Sequence, residues 1–204
     1  ITKISSIAKK IGLNDDDFII IYSGRINPEK GIMELIEAIS RMTNYSNIKL
    51  LVIGSSFFGD VTIEDDFTKE LRKKTEHIKD RILFTGYIPY KDVPAYLGLA
   101  DIAVVPSMWE EAFGLTVLEA MAAGLPLITT RSGGIPEICE NVALIVDRSH
   151  IIDNIIHGIE QLYNNPGLRK IMSEKSLDRA MDFSKDKYTC QLFNAIESLN
   201  SLNN

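Results

Sequence analysis

The sequence predicts an α/β chain: a doubly wound, Rossmann-like parallel sheet of about six strands with helices on both faces and a helical C-terminal tail. Three observations carry that expectation. Short apolar runs such as FIIIY (18–22), LLVI (50–53) and IAVV (102–105) have the unbroken pattern of strands buried on both faces. Each run empties into a loop bearing Gly or Pro, at Ser23-Gly24, Gly54-Ser55 and Pro106-Ser107, before a polar or helically spaced segment follows. Beyond His150 no strand pattern is left, only amphipathic helical repeats.

Taken in order, residues 2–12 carry Ile4, Ile7, Ala8 and Ile11 at helical spacing and end at a Gly suited to a helix C-terminus. Asn14-Asp15-Asp16-Asp17 resembles a DxD metal motif. It precedes the first strand, however, whereas ligands of open parallel sheets gather beyond the carboxyl ends of strands, so it reads as a solvated turn. The first strand (18–22) leads through Ser23–Gly31 to a helix marked by Ile32, Leu35, Ile36 and Ile39. The second strand (50–53) is followed by a loop through Gly59 and a polar helix over about 64–77. The third strand (81–85) ends at Gly86-Tyr87-Ile88-Pro89, a short helix spans 92–99, and the fourth strand is 102–105. Strands five and six fall at 127–129 and 143–146. Ile152, Ile155, Ile156, Ile159 and Leu162 mark one tail helix, Asn164-Asn165-Pro166-Gly167 a break, 168–181 a second helix and 185–199 a third.

The chain of 204 residues is read as one domain, with 150–204 a helical extension. The net charge of -6 and the lack of a Lys/Arg run argue against nucleic acid as a partner. Cys139 and Cys190 lack CxxC spacing and fit a reducing compartment, and His77, His150 and His157 form no ligand set. No GxGxxG occurs, which disfavours a dinucleotide-binding dehydrogenase. No run of about 18 apolar residues exists. The N-terminus has neither an initiator Met nor a signal-peptide pattern, so the chain reads as part of a longer protein, cytoplasmic, with any contact at the inner membrane face made by the missing half.

The chemistry concentrates in residues 106–134. A strand there crosses a loop containing Trp109 and enters a helix near Gly114-Leu115, whose bare N–H groups suit an anion. Glu111 and Glu119, seven residues apart, are acceptors suited to the diols of sugars. Arg25 and Lys30 stand at the same end of the sheet and suit a diphosphate, Lys30 being misplaced at a helix N-terminus unless an anion joins it. Trp109 reads equally as core packing or as a sugar platform.

Together, Gly24-Arg25, Lys30-Gly31, Gly86, Pro106-Ser107, Glu111-Ala112-Phe113-Gly114-Leu115, Glu119-Ala120-Met121, Gly124-Leu125-Pro126 and Gly133-Gly134-Ile135-Pro136-Glu137 resemble the C-terminal, donor-binding domain of family 4 retaining glycosyltransferases of the GT-B fold. The resemblance covers nearly the whole chain. It implies a catalytic set of Arg25 and Lys30 on the donor diphosphate and Glu111 on the transferred sugar. It further implies donor-binding loops at Gly24 and Gly54, Tyr87 and Ile88 along the base, Glu119 on the ribose, and the amides of Phe113, Gly114 and Leu115 on sugar and phosphate oxygens. A nucleotide-diphosphate sugar, UDP-linked as the commonest case, is the implied substrate, with no cofactor and no metal. The acceptor domain that normally precedes this one is the implied partner, and the last helix crosses back to it in many relatives, so Tyr188, Leu192, Phe193 and Ile196 are expected to serve that contact. A nucleotide-sugar epimerase half, a non-catalytic nucleotide-sugar-binding module and a phosphate binder without sugar specificity stay open as alternatives.

Overall fold

The computed structural model describes residues 3–55 and 65–202, with side chains described over 6–55 and 65–198. The loop through Gly59 lies outside the described residues. Six strands form one sheet: β1 (Phe18–Ser23), β2 (Ile48–Ile53), β3 (Ile82–Gly86), β4 (Ile102–Val105), β5 (Leu127–Thr130) and β6 (Leu144–Val146). They are all parallel and lie in the order β3-β2-β1-β4-β5-β6. Because consecutive parallel strands need crossovers, helices cover both faces. The strand order reverses between β1 and β4, and in such sheets the crevice beyond the carboxyl ends at that reversal is where ligands bind.

The two faces make two apolar layers. Alternate residues of β1 split between them, with Ile20 and Tyr22 on one side and Ile19 and Ile21 on the other. The first layer is closed by α2 (Ile32–Arg41), α3 (Asp66–Thr75) and α7 (Ile151–Tyr163), through Leu35, Ile39, Leu71, Ile155 and Ile159, all fully buried. The second is closed by α4 (Val93–Leu97), α5 (Leu115–Ala122) and α6 (Ile135–Cys139), through Leu97, Val117, Met121 and Ile138. The N-terminal helix α1 (Lys3–Lys10) sits against α4.

The helical tail divides. α7 is core, whereas α8 (Pro166–Ala180) lies over α5 and α7, and α9 (Lys185–Leu202) leaves Tyr188, Leu192, Phe193 and Ile196 exposed. The expected break falls at Asn164-Asn165, between α7 and α8, while Pro166 and Gly167 already belong to α8. The Asn165 side chain caps α8 by accepting from the Leu168 N–H, and Pro166 occupies the first turn, where its missing N–H costs nothing. The five-residue α6 is a helix that the pattern did not reveal, entered through Pro136. No helix among the described residues is long and apolar enough to cross a membrane.

Candidate functional site

The loops that leave β1 and β4 meet at the strand-order reversal. Gly31 has φ 68°, and a Cβ on it would stand 1.8 Å from the Pro106 carbonyl oxygen, so only glycine lets the two loops approach this closely. The Met108 N–H donates to the Glu29 carbonyl at 2.8 Å and joins them again. Next to them the ends of β1, β2 and β3 continue as a ladder: Gly24 N–H donates to Ile53 O at 3.0 Å, and Gly54 N–H to Gly86 O at 3.0 Å. The four loops expected to form the site therefore share one rim, and Gly24, Gly54, Tyr87 and Ile88 lie on it.

The side chains on that rim are partly engaged with one another. Lys30 follows Asn27, whose side chain accepts from the Lys30 N–H at 3.1 Å, and its ammonium donates to Glu111 Oε1 at 2.5 Å. Ser107 Oγ donates to the same oxygen at 2.7 Å. This corrects the reading of Lys30 as a cation lacking an anion: the anion is Glu111, and the two side chains are only 23% and 14% exposed. Arg25 differs. It is exposed and makes no ion pair among the described residues. Beneath it Tyr22, almost wholly buried, donates its hydroxyl to the Arg25 carbonyl at 2.7 Å. Burial raises the Tyr22 pKa well above the ordinary phenol value, the Glu111 charge adds to the rise and the Arg25 charge opposes it, so the phenol is a fixed neutral prop for the loop.

Glu119 sits on α5, half-buried. Burial raises its carboxyl pKa above the ordinary value, while the Tyr90 hydroxyl, on the loop after β3, opposes the rise. Gly114 caps α5 in the left-handed region, and the amides of Phe113, Gly114 and Leu115 donate to no acceptor among the described residues. Phe113 and Leu115 are exposed at the rim, with the Phe113 ring edge-on to Phe183 at 6.0 Å. Trp109 is 54% exposed, which rules out the core-packing alternative for it.

Sequence reasoning missed four contributors. Ser107 orients Glu111, Tyr22 supports Arg25, Tyr90 flanks Glu119, and Glu110 ties the loop to Arg148 and Gly133. Only Ser107 had a local signal, as a polar residue four positions before Glu111. His77, His150 and His157 are exposed and scattered, and among the described residues no group of three or more His, Cys, Asp or Glu side chains is placed to hold a metal ion.

Arranged this way, the rim offers fixed cations and free amides for an anion beside two carboxylates for hydroxyl donors. Comparison with known proteins identifies the family. A putative glycosyltransferase, YtcC of Bacillus subtilis, is 31% identical over 171 residues, covering 82% of this chain and 42% of that protein. The lipopolysaccharide 1,2-N-acetylglucosaminetransferase of Salmonella typhimurium is 31% identical over 133 residues, covering 65% of this chain and 35% of that protein. The chain thus spans less than half the length of these relatives. Among solved structures, the C-terminal domain of the LpcC glycosyl transferase group 1 family protein from Francisella tularensis superposes with a TM-score of 0.71 at 30% identity, covering 86% of this chain and 88% of that domain. Anabaena HepE in complex with UDP-glucose shares the fold, with a TM-score of 0.80 at 23% identity, covering 97% of this chain and 52% of that one. The model for glycosyl transferases group 1 matches residues 3–179, and the chain belongs to that family.

Proposed function

We propose that this chain is the donor half of a retaining glycosyltransferase: it binds a nucleotide-diphosphate sugar at the β1/β4 crevice and, with an acceptor domain, transfers the sugar. The observation that carries the reading is the pairing of Lys30 with Glu111 beside exposed Arg25 and the unengaged α5 amides. Such a rim has cations for the diphosphate, a carboxylate for the sugar next to it and a second carboxylate, Glu119, for the ribose.

In this reading the donor's phosphates replace Glu111 as the partner of Lys30, and the sugar hydroxyls take up the carboxylate that is released. Negative charge grows on the terminal phosphate oxygen as the glycosidic bond breaks. Arg25, the α5 amides and Lys30, once it has exchanged Glu111 for the phosphate, stabilise that charge. Ser107 keeps Glu111 from following Lys30. Tyr87 and Ile88 flank the base, and no divalent ion is required. A UDP-sugar is the favoured donor, supported by the fold shared with the HepE–UDP-glucose complex. The exposed apolar row on α9 fits the acceptor domain, and a cytoplasmic setting, with peripheral membrane contact through that domain, fits the two unbridged cysteines.

The test is transfer of sugar from UDP-, GDP- and ADP-sugars by the full-length protein in chelator, repeated with Arg25→Ala and Lys30→Ala. Loss of one such electrostatic donor lowers turnover by about 100- to 1,000-fold. Near-normal turnover in both variants would remove the two cations from the mechanism. Net inversion at one ring carbon of the donor sugar without transfer would establish the epimerase alternative, and nucleotide-sugar binding without any reaction would establish the binding module.

A further inference from the structure

The loop that carries Glu111 is fixed by contacts that leave the Glu111 carboxylate itself untouched. Glu110 points away from Glu111. Its Oε1 accepts from Arg148 Nη2 and its Oε2 from the Gly133 N–H, both at 2.5 Å. Arg148 uses its other terminal nitrogen to donate to the Met108 carbonyl at 3.2 Å, so one guanidinium grips the loop at two residues. On the same side the Gly134 N–H donates to the Glu111 carbonyl at 2.8 Å. Gly133, at φ 53°, lies so close that a Cβ there would stand 2.2 Å from the same oxygen.

Arg148 is itself anchored. It lies in the loop between β6 and α7, where Asp147 Oδ1 accepts from the Ser149 N–H at 2.6 Å and Asn154 Nδ2 donates to the carbonyls of Asp147 and Ser149 at 3.0 and 2.8 Å. His150, at φ 54°, is the one non-glycine residue with positive φ among those described, and it ends this loop. A non-glycine residue is held in that conformation where its surroundings over-determine the backbone.

An exposed ion pair ordinarily adds little to stability, and Glu110 and Arg148 are 62% and 37% exposed. The pair therefore contributes little to the fold, yet it fixes the loop at Met108 and Glu110, immediately before Glu111. We propose that Glu110 and Arg148 are positioning residues: a clasp that holds the Glu111 carboxylate where the sugar of the donor meets it. The proposal rests on the donor-site reading above.

The readout that separates positioning from bulk stability is sugar selectivity, the ratio of affinity for the nucleotide sugar to affinity for the same free nucleotide. With the full-length protein, UDP-glucose and UDP are titrated against wild type, Glu110→Ala, Glu110→Gln, Arg148→Ala, Glu111→Ala and the Glu110→Ala/Glu111→Ala pair, each with its melting temperature. The clasp predicts that Glu110→Ala and Arg148→Ala lower selectivity about tenfold. Glu110→Gln, which keeps an acceptor for Gly133, retains more than half of wild-type selectivity. Glu110→Ala adds nothing once Glu111 is gone, since both act through one carboxylate. Unchanged selectivity in the single variants, or an equal further loss in the double variant, overturns the proposal. Wild-type protein that binds neither compound, nor GDP- or ADP-linked equivalents, overturns the donor-site reading instead.

Discussion

Replacing Glu111 by Gln should push the affinities for free nucleotide and for nucleotide sugar in opposite directions. Glu111 Oε1 is 2.5 Å from Lys30 Nζ. A phosphate oxygen about 4 Å from that ammonium therefore lies at most about 6.5 Å from the carboxylate, and at an effective dielectric near 20 a unit charge there is attracted by roughly 4 kcal/mol and repelled by roughly 2.5 kcal/mol. With the repulsion halved for screening at the rim, its removal strengthens binding of free UDP by about 1 kcal/mol, roughly fivefold. A nucleotide sugar gains the same relief but loses hydrogen bonds to a charged acceptor, worth about 1.5–3 kcal/mol. Sugar selectivity then falls roughly 10- to 150-fold. Calorimetric titration of wild type and Glu111→Gln with UDP and UDP-glucose measures both numbers. Equal weakening of the two ligands, with selectivity unchanged, would refute the account of Glu111 as a carboxylate that passes from Lys30 to the sugar.

Glu119→Gln is expected to raise the melting temperature at pH 7. Burial lifts the Glu119 carboxyl above its ordinary value of 4.5, against a smaller opposing effect of Tyr90, so the folded state holds that proton more tightly than the unfolded state. Stability is lost as pH rises from 4.5 through the raised value, and the gain from Gln should vanish below 4.5; a lower melting temperature at pH 7 would contradict this. Gly31→Ala forces a Cβ to within 1.8 Å of the Pro106 oxygen and should cost about 3 kcal/mol in urea unfolding, whereas a cost of a few tenths would mean that the two loops separate freely. Burial pushes the Cys139 thiol up to about 12, while Cys190 is exposed on α9, so a disulfide reagent at pH 8 should titrate one thiol in the native protein and two in denaturant. Two fast native thiols would show the α6 region to be open.

Much of this was legible because the sheet is parallel and doubly covered. Strands such as residues 18–22 and 102–105 must be apolar on both sides, which leaves an unbroken signal, and the loops beyond them must carry whatever polar residues the site uses. Arg25, Lys30 and Glu111 stood out as candidates for that reason. What the sequence concealed was either too short or too distant. Five residues of α6 cannot display a helical period, and the break read over 164–167 hides that Asn165 caps and Pro166 opens the next helix. Partners such as Lys30 and Glu111, 81 positions apart, or Glu110 and Arg148, 38 apart, meet only because the crossovers bring separate loops to one rim. A pairwise contact of that kind leaves no local spacing, so the cation at residue 30 looked unattended when it was not.

The central claim is a donor site at the β1/β4 reversal, built from Arg25, Lys30, Glu111 and Glu119. Calorimetric titration of the full-length protein with UDP, GDP and ADP in chelator, followed by the same titration of Arg25→Ala and Glu119→Ala, tests it most directly. The account predicts saturable, metal-independent binding of one nucleotide that both substitutions weaken. Saturable binding left unchanged by both would place the nucleotide elsewhere on the molecule and contradict it.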